Sequence, residues 1–370
     1  MRWPIGRTHQ NHFCGNLHPD CPHEHHRLWF WPQLTNGGYL TIKKKLISLL
    51  IALGLLGLLV ASVNSTELWS ALRGASLLWV ALSLLMFIPQ TLAIAYRWTL
   101  IARPLARIPL QEAVRQVLAS SCLNLVLPSK LGDLAKGVFL YRQGKCGWEE
   151  GIQIVVFEKL LDLAALSALM LLASCVIWPE VLILQGVLLI GLGVVTAVVL
   201  IYFSPLGAKL IRALLPNRKG KGILSKVIGL VEAGPKVMEL IRGSGGRKTA
   251  LVLWSLGIWM LHLIQIVMFF FAIGVPVTVM EILLKMPMAM FVGLLPISLA
   301  GFGTREWAIV LLFQTETVTA AMLVAVAVLF SSRYLIPAAF GLLFFQRYYG
   351  LSKIKAPTKP HEKRRRKLRS

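Results

Sequence analysis

Residues 294–313 read "LLPISLAGFGTREWAIVLLF". The stretch is apolar enough to lie in a membrane. Its middle nevertheless carries Pro296, Gly301 and Gly303, which interrupt helices, followed at once by Arg305 and Glu306. A segment that breaks at membrane depth and places two charges at the break constrains how the rest of the chain folds.

Composition sets the class. The chain has 370 residues, 56% of them hydrophobic, and a mean hydropathy of +0.69. Apolar runs at 46–63, 77–95, 152–177, 181–203, 249–273 and 320–346 approach the ~20 residues a helix needs to cross a bilayer. They are too long and continuous for barrel strands, and only helices or closed barrels span lipid. The expectation is an all-α polytopic membrane protein. The formal charge of +23 does not imply a nucleic-acid partner, because Lys and Arg gather in a few segments between the apolar runs. The five cysteines, Cys14, Cys21, Cys122, Cys146 and Cys175, are scattered and odd in number, which is no disulfide framework.

Residues 1–40 differ from the rest. They hold His9, His12, His18, His23, His25 and His26 among Cys14 and Cys21, but the spacing matches no zinc motif. The tail reads as a disordered His/Cys-rich extension, and no metal or cofactor is expected. Lys43–Lys45 followed by 46–63 resembles a signal peptide without a small-residue cleavage site, so it reads as a retained helix.

Charge then orients the helices. The stretch 204–248 holds ten basic residues against Glu232 and Glu239, and the tail at 349–370 contains Lys363-Arg364-Arg365-Arg366-Lys367. Both belong inside by the positive-inside pattern, as does the N-terminus. That scheme fails if 111–127 crosses the membrane alone, and a return helix over 131–141 is only about 16 Å long, too short for ~30 Å of hydrocarbon. A re-entrant hairpin over 111–141, turning at "LPSKLGD", resolves the conflict. The same reasoning makes 282–314 a hairpin entering from the opposite side. The expected architecture is six full spans plus two opposed re-entrant helical hairpins, eight membrane segments in all.

The order span, span, hairpin, span occurs twice, with opposite starting sides. Repeat one covers 41–178 and repeat two 181–348, within a transmembrane domain at 41–348. The two tips, "LPSKLGDLAKG" and "LPISLAGFGTREWA", share Leu-Pro, a small-residue turn, and an acid beside a base. Inverted repeats with broken helices place a polar site near the midplane, where freed backbone N–H groups favour an anion. Pro128 and Pro296 end one arm, while Gly132, Gly301 and Gly303 permit the turns. Lys130, Lys136 and Arg305 supply positive charge; Asp133 and Glu306 balance it. Ser298 lies at the second tip. Asn124, just before the first, serves either freed backbone groups or ligand.

Further charges fall within apolar helices. "FEKLLDL" at 157–163 carries Glu158, Lys159 and Asp162, with Glu158 and Asp162 on one helical face. Each charge at a helix centre costs roughly 2.5–3.5 kcal/mol to insert, so these groups snorkel to the interface or line a polar cavity. Arg333 in "SSRYLIPAAFG" is the second-half counterpart. Arg97 reads as a topology anchor closing a helix, His262 as a helix–helix hydrogen-bonding residue, and Trp69, Trp79, Trp178 and Trp254 as interfacial aromatics.

Three motifs in order, "LNLVLPSKLGD", "FEKLLDL" and "LPISLAGFGTRE", resemble the transmembrane region of lysylphosphatidylglycerol synthases, the flippase-like domain. The resemblance covers about 41–348. It implies handling of phospholipids or polyprenyl-linked lipids in envelope modification or glycan assembly. Family members carry Arg and Glu at the first tip where this chain has Lys130, Asp133 and Lys136, and lysine lacks arginine's two-pronged phosphate geometry. The family's soluble aminoacyl-transferring domain has no counterpart in the 20 or so residues after the last helix.

The function expected is translocation of an anionic phospholipid or polyprenyl-linked lipid across the cell membrane, without enzymatic activity. The alternatives are a non-catalytic partner of an envelope lipid or glycan synthase, and a membrane-embedded transferase using Glu158, Asp162 or His262. No metal-ligand set, nucleophile–base pair or nucleotide loop is legible for the last.

Overall fold

The computed structural model describes residues 54, 57–59, 61, 63–176, 245–293 and 303–349. Outside them lie the tail at 1–40, the apolar run at 181–203, the basic segment up to 244, Trp178, the tip residues Pro296, Ser298 and Gly301, and the C-terminal basic tail. Only a few positions of the run at 46–63 are described, and all but Val63 are helical.

Among the described residues every regular element is a helix. In chain order these are α1 (Ser65–Arg73), α2 (Leu77–Leu85), α3 (Phe87–Ala102), α4 (Leu110–Val126), a 3-10 turn (Pro128–Asp133), α5 (Leu134–Arg142) and α6 (Trp148–Val176). Then follow α7 (Gly245–Ile273), α8 (Val279–Val292), α9 (Thr304–Phe313), α10 (Ala320–Ser332) and α11 (Leu335–Tyr349).

Among the described residues, three stretches are long and apolar enough to cross a membrane: Leu77–Ala102, Thr249–Ile273 and Ala320–Phe344. The expected span at 152–177 is the 29-residue α6, whose internal charges set it apart from those three. Large apolar side chains face outward along the three: Leu77 is 83% exposed, Leu253 62% and Leu343 73%. An apolar exterior of that extent fits hydrocarbon rather than water.

Two of these stretches are interrupted where the sequence reading drew continuous helices. The first extends beyond 95 to Ala102 and breaks at Met86, between α2 and α3. The second breaks at Arg333 and Tyr334, between α10 and α11. Proline explains both. Pro89 has no N–H for the Leu85 carbonyl, and Pro337 has none for the Arg333 carbonyl, and each ring crowds the carbonyl four residues back. The second break therefore sits on a charged residue.

The elements at 110–142 and 279–313 are two helical hairpins. In the first, the 3-10 turn joins α4 to α5; in the second, α8 packs against α9 across residues outside the description. The returning arms α5 and α9 have 9 and 10 residues, so they reach only about 14 and 15 Å.

Packing pairs the two halves. The α2–α3 stretch runs antiparallel to α7. Ser76 N–H donates to the Ala272 carbonyl at one end, Gln90 meets Gln265 midway at 3.0 Å, and Arg97 meets Ser255 near the other end at 3.0 Å. The first hairpin's α4 packs on α11 of the second half, and the second hairpin's α8 packs on α6 of the first. Both exchanges bring helices close. A side-chain carbon added at Gly341 of α11 would collide with the Leu118 carbonyl of α4. One apolar core, around Trp98, Ile101, Leu140 and Ile154, surrounds the first hairpin; another, around Phe269, Phe270, Phe313 and Phe330, surrounds the second.

Candidate functional site

Chain geometry at the first hairpin starts with Pro128. It pushes Leu127 into extended backbone, φ −99° and ψ 137°, which ends α4 at Val126. The 3-10 turn then folds back on the end of α4. Gly132 lies so close that a side-chain carbon there would sit 2.5 Å from the Asn124 backbone nitrogen. This contact places Asp133 beside α4, where its Oδ1 accepts hydrogen bonds from Asn124 Nδ2 at 3.1 Å and Ser120 Oγ at 3.2 Å. Asn124 thus holds an acid in place.

Lys136 follows on α5. Gly137 of α5 and Gly151 of α6 approach backbone to backbone, leaving no room for a side chain at either. That approach brings Lys136 Nζ to 2.5 Å from Glu158 Oε2. Glu158 Oε1 lies 3.3 Å from Arg97 on α3, and Arg97 reaches Asp162 at 2.6 Å. Asp162 lies 3.6 Å from Lys159, Lys159 pairs with Asp133, and Asp133 lies 3.9 Å from Lys136, where the circuit began. Six groups of alternating sign close a ring.

The ring is buried at its centre. Arg97, Lys136 and Glu158 are each 1% exposed, while Lys159 keeps a partly open side chain. Lys136 Nζ also lies 5.0 Å above the Trp98 ring, whose Nε1 donates to Gln116 at 2.8 Å. Three cations and three anions sum to zero. The electrostatic need of each is met by its neighbours, so the insertion cost of the "FEKLLDL" charges is offset within the protein. Arg97 is not the interfacial anchor expected from its place near a helix end. Its helix continues past it, and Glu158 and Asp162, four residues apart on one face of α6, both turn toward it.

The second cluster is built differently. Gly303 adopts φ 89°, a backbone that side chains other than hydrogen rarely tolerate, and α9 starts at Thr304. Its N–H donates to Glu306 Oε2 at 2.6 Å. Arg305 pairs with the adjacent Glu306 and donates to Tyr334 Oη at 3.0 Å and Ser331 Oγ at 3.1 Å; Ser331 in turn donates to Glu306 at 2.9 Å. Gly293, which caps the end of α8, leaves space for the Arg305 side chain, whose Cβ lies 3.0 Å from where a glycine substituent would stand. Arg333, at the break between α10 and α11, donates to Gln265 Oε1 at 3.2 Å and lies 3.5 Å from His262 Nδ1. His262 thus bridges helices, in keeping with its expected role.

One helix, α7, carries polar side chains to both clusters. Ser255 accepts from Arg97 of the ring, and His262 and Gln265 contact Arg333. Ser255 and His262 are seven residues, about 10 Å, apart along the helix. Gln90 donates to Gln265, and Gln265 donates to the Ser83 carbonyl at 2.7 Å, near the α2–α3 break. At the far end of α3, Leu100, Arg103 and Arg107 line a cleft with Arg247 at the start of α7.

Of the expected site residues, Asn124, Asp133, Lys136, Glu158, Lys159 and Asp162 assemble at the ring, and Arg305, Glu306 and Arg333 at the second cluster. The backbones of Pro128 and Lys130 form the 3-10 turn, with their side chains outside the description; Pro296, Ser298 and Gly301 also lie outside it. The sequence reading missed Gln90, Ser255, Gln265 and Tyr334, and misassigned Arg97. A signal existed. Gln90 and Arg97 are seven residues apart, as are Ser255 and His262, which places each pair on one helical face.

Two comparisons bear on identity. Residues 45–341 match the family model described as lysylphosphatidylglycerol synthase TM region. No curated protein matches the chain.

Proposed function

This chain belongs to the lysylphosphatidylglycerol synthase TM region family, and from that premise we propose that it moves an anionic phospholipid or polyprenyl-linked lipid between leaflets of the cell membrane. The observation that carries the reading is a pair of buried charged clusters, the six-charge ring and the Arg305–Glu306–Arg333 group, each contacted by polar residues of α7 (Ser255 for the first, His262 and Gln265 for the second), between helices whose outer surfaces are apolar. Ionisable groups inside membrane helices are by default functional. The headgroup passes from one cluster to the other while its tails stay in lipid. The arginine-lined cleft by Arg103, Arg107 and Arg247 offers an electropositive entrance. The short arms α5 and α9 support reading both hairpins as re-entrant, and the antiparallel pairing of α2–α3 with α7 supports the inverted repeat. The polypeptide acts without bond chemistry in this reading, with both termini on the cytoplasmic side.

The test is transport in proteoliposomes, with leaflet asymmetry of labelled phosphatidylglycerol, lysylated phosphatidylglycerol and polyprenyl phosphate as the readout. Wild-type protein accelerates at least one without a nucleotide, and Arg305→Ala slows it. If folded protein accelerates none, the translocator reading fails, and a non-catalytic partnership with an envelope lipid or glycan synthase takes its place.

A further inference from the structure

We propose that Arg333 is the primary anion seat of the molecule, taking a phosphate-type group between itself, Gln265, His262 and the Arg305–Tyr334 pair. The assignment rests on the translocator reading for the source of the anion, and on charge balance for its location. In the first half every buried charge has opposite partners, so an anion entering the ring has to displace a carboxylate already there. In the second half Glu306 is committed to Arg305 and Ser331. Arg333 is 7% exposed, and among the described residues no carboxylate pairs with it.

Its surroundings substitute for an anion only in part. Gln265 offers a neutral carbonyl oxygen at 3.2 Å, and the His262 Nδ1 lies 3.5 Å away. The guanidinium lies 4.4 Å from the Phe330 ring centre and 4.9 Å from that of Tyr334. Arg305 contacts the same two rings, at 4.2 and 5.4 Å. Two guanidiniums share these aromatic faces while Glu306 pairs with Arg305, which leaves one positive charge over. A planar fork of N–H donors matches a phosphate oxygen pair. Ser331 and Tyr334 are half-buried, so the cluster has an open side. The Arg333 carbonyl, released by Pro337, keeps the backbone broken at this point.

The experiment uses the full chain in detergent micelles doped with phosphatidylglycerol or phosphatidylcholine, reading thermal midpoint and affinity for a fluorescent phosphatidylglycerol. Wild type binds phosphatidylglycerol at least tenfold tighter than phosphatidylcholine. Arg333→Gln abolishes that preference, Arg333→Lys restores part of it, and Arg73→Gln, the same charge change on an exposed helix, leaves it intact. In phosphatidylcholine the midpoint of Arg333→Gln equals or exceeds that of wild type, because an uncompensated charge has been removed; a purely structural arginine gives the opposite shift. Competition by inorganic phosphate assigns the seat to the free anion's chemistry. Arg333-dependent lipid binding without such competition assigns it to the headgroup within a lipid. An unchanged preference in Arg333→Gln, its failure to fold in phosphatidylcholine, or no preference in wild type overturns the proposal. Arg333-dependent binding by a protein that moves no lipid sinks the translocator reading and leaves the seat standing.

Discussion

Arg97 shows why a single position matters in a closed circuit. It touches two carboxylates and a serine, and it is the only member of the ring contributed by α3. Removing one partner of a buried pair costs about 3–5 kcal/mol, because the remaining charge stays desolvated. Arg97→Ala is therefore expected to lower the thermal midpoint in detergent far more than Arg73→Ala. A midpoint unchanged from wild type would show that water already reaches Glu158. Cys146 offers a second residue-level test, outside the spans. Burial, with the Glu150 charge beside it, pushes its thiol up to about 11. The thiol is thus protonated at neutral pH, and the thiolate is the reactive form. Maleimide labelling at pH 7.5 should be slow, should rise as pH climbs toward 11, and should speed up in Glu150→Gln. Rapid labelling of Cys146 at pH 7 would contradict this environment. Local chemistry was only partly legible in the sequence. The acids and bases of "FEKLLDL" announced themselves, but their partners come from α3 and α5, and spacing within one helix says nothing of that.

Elements were read more surely than residues. Among the described residues, the hairpin arms and the first turn fell close to their expected limits, because Pro128 and the returning arms' lengths are local properties. The two helix breaks were not seen. A proline in the first turn of a helix is ordinary, and nothing in the apolar run around Pro89 or Pro337 says that a helix begins there rather than continues. The close pairing of α5 with α6 gives an element-level prediction. Gly137→Leu forces these helices apart at the Gly151 backbone, parting Lys136 from Glu158. Overpacking costs about 1–3 kcal/mol in ordinary cores, and a backbone obstacle lies at the upper end. The variant should lose thermal stability, and Gly147→Leu, facing the flexible end of Glu150, should not. Equal stability of the two would mean that α5 can slide.

For the whole molecule, the first hairpin packs on α11 and the second on α6, an exchange that the proposed inverted repeat would produce and that chain-wide probes can test. Cysteines introduced at Ser129 and Ser298 should crosslink with short reagents, because opposed re-entrant tips can meet only near the centre of a ~30 Å core. Lys219→Cys should resist impermeant thiol reagents in sealed cells. Spin labels at the tips held more than about 20 Å apart would remove the opposed-hairpin arrangement, since that leaves too little of the ~30 Å core for both to be re-entrant. Charge counting along the chain leads to the opposed-hairpin expectation because the positive-inside pattern acts on loops, which a linear sequence displays directly. Charge balance within the folded interior was hidden from it, since that depends on which helices touch.

The six-membered ring has an electrical meaning as well. A full elementary charge carried through a membrane potential exchanges about 2.3 kcal/mol per 100 mV. A group of three cations and three anions that shifts as a body exchanges almost none, so the ring itself is blind to voltage. Arg333 is not. As the proposed seat it feels the field when empty, and a singly charged guest neutralises it. The voltage across the membrane would then bias the return of the vacant protein while leaving the loaded passage untouched.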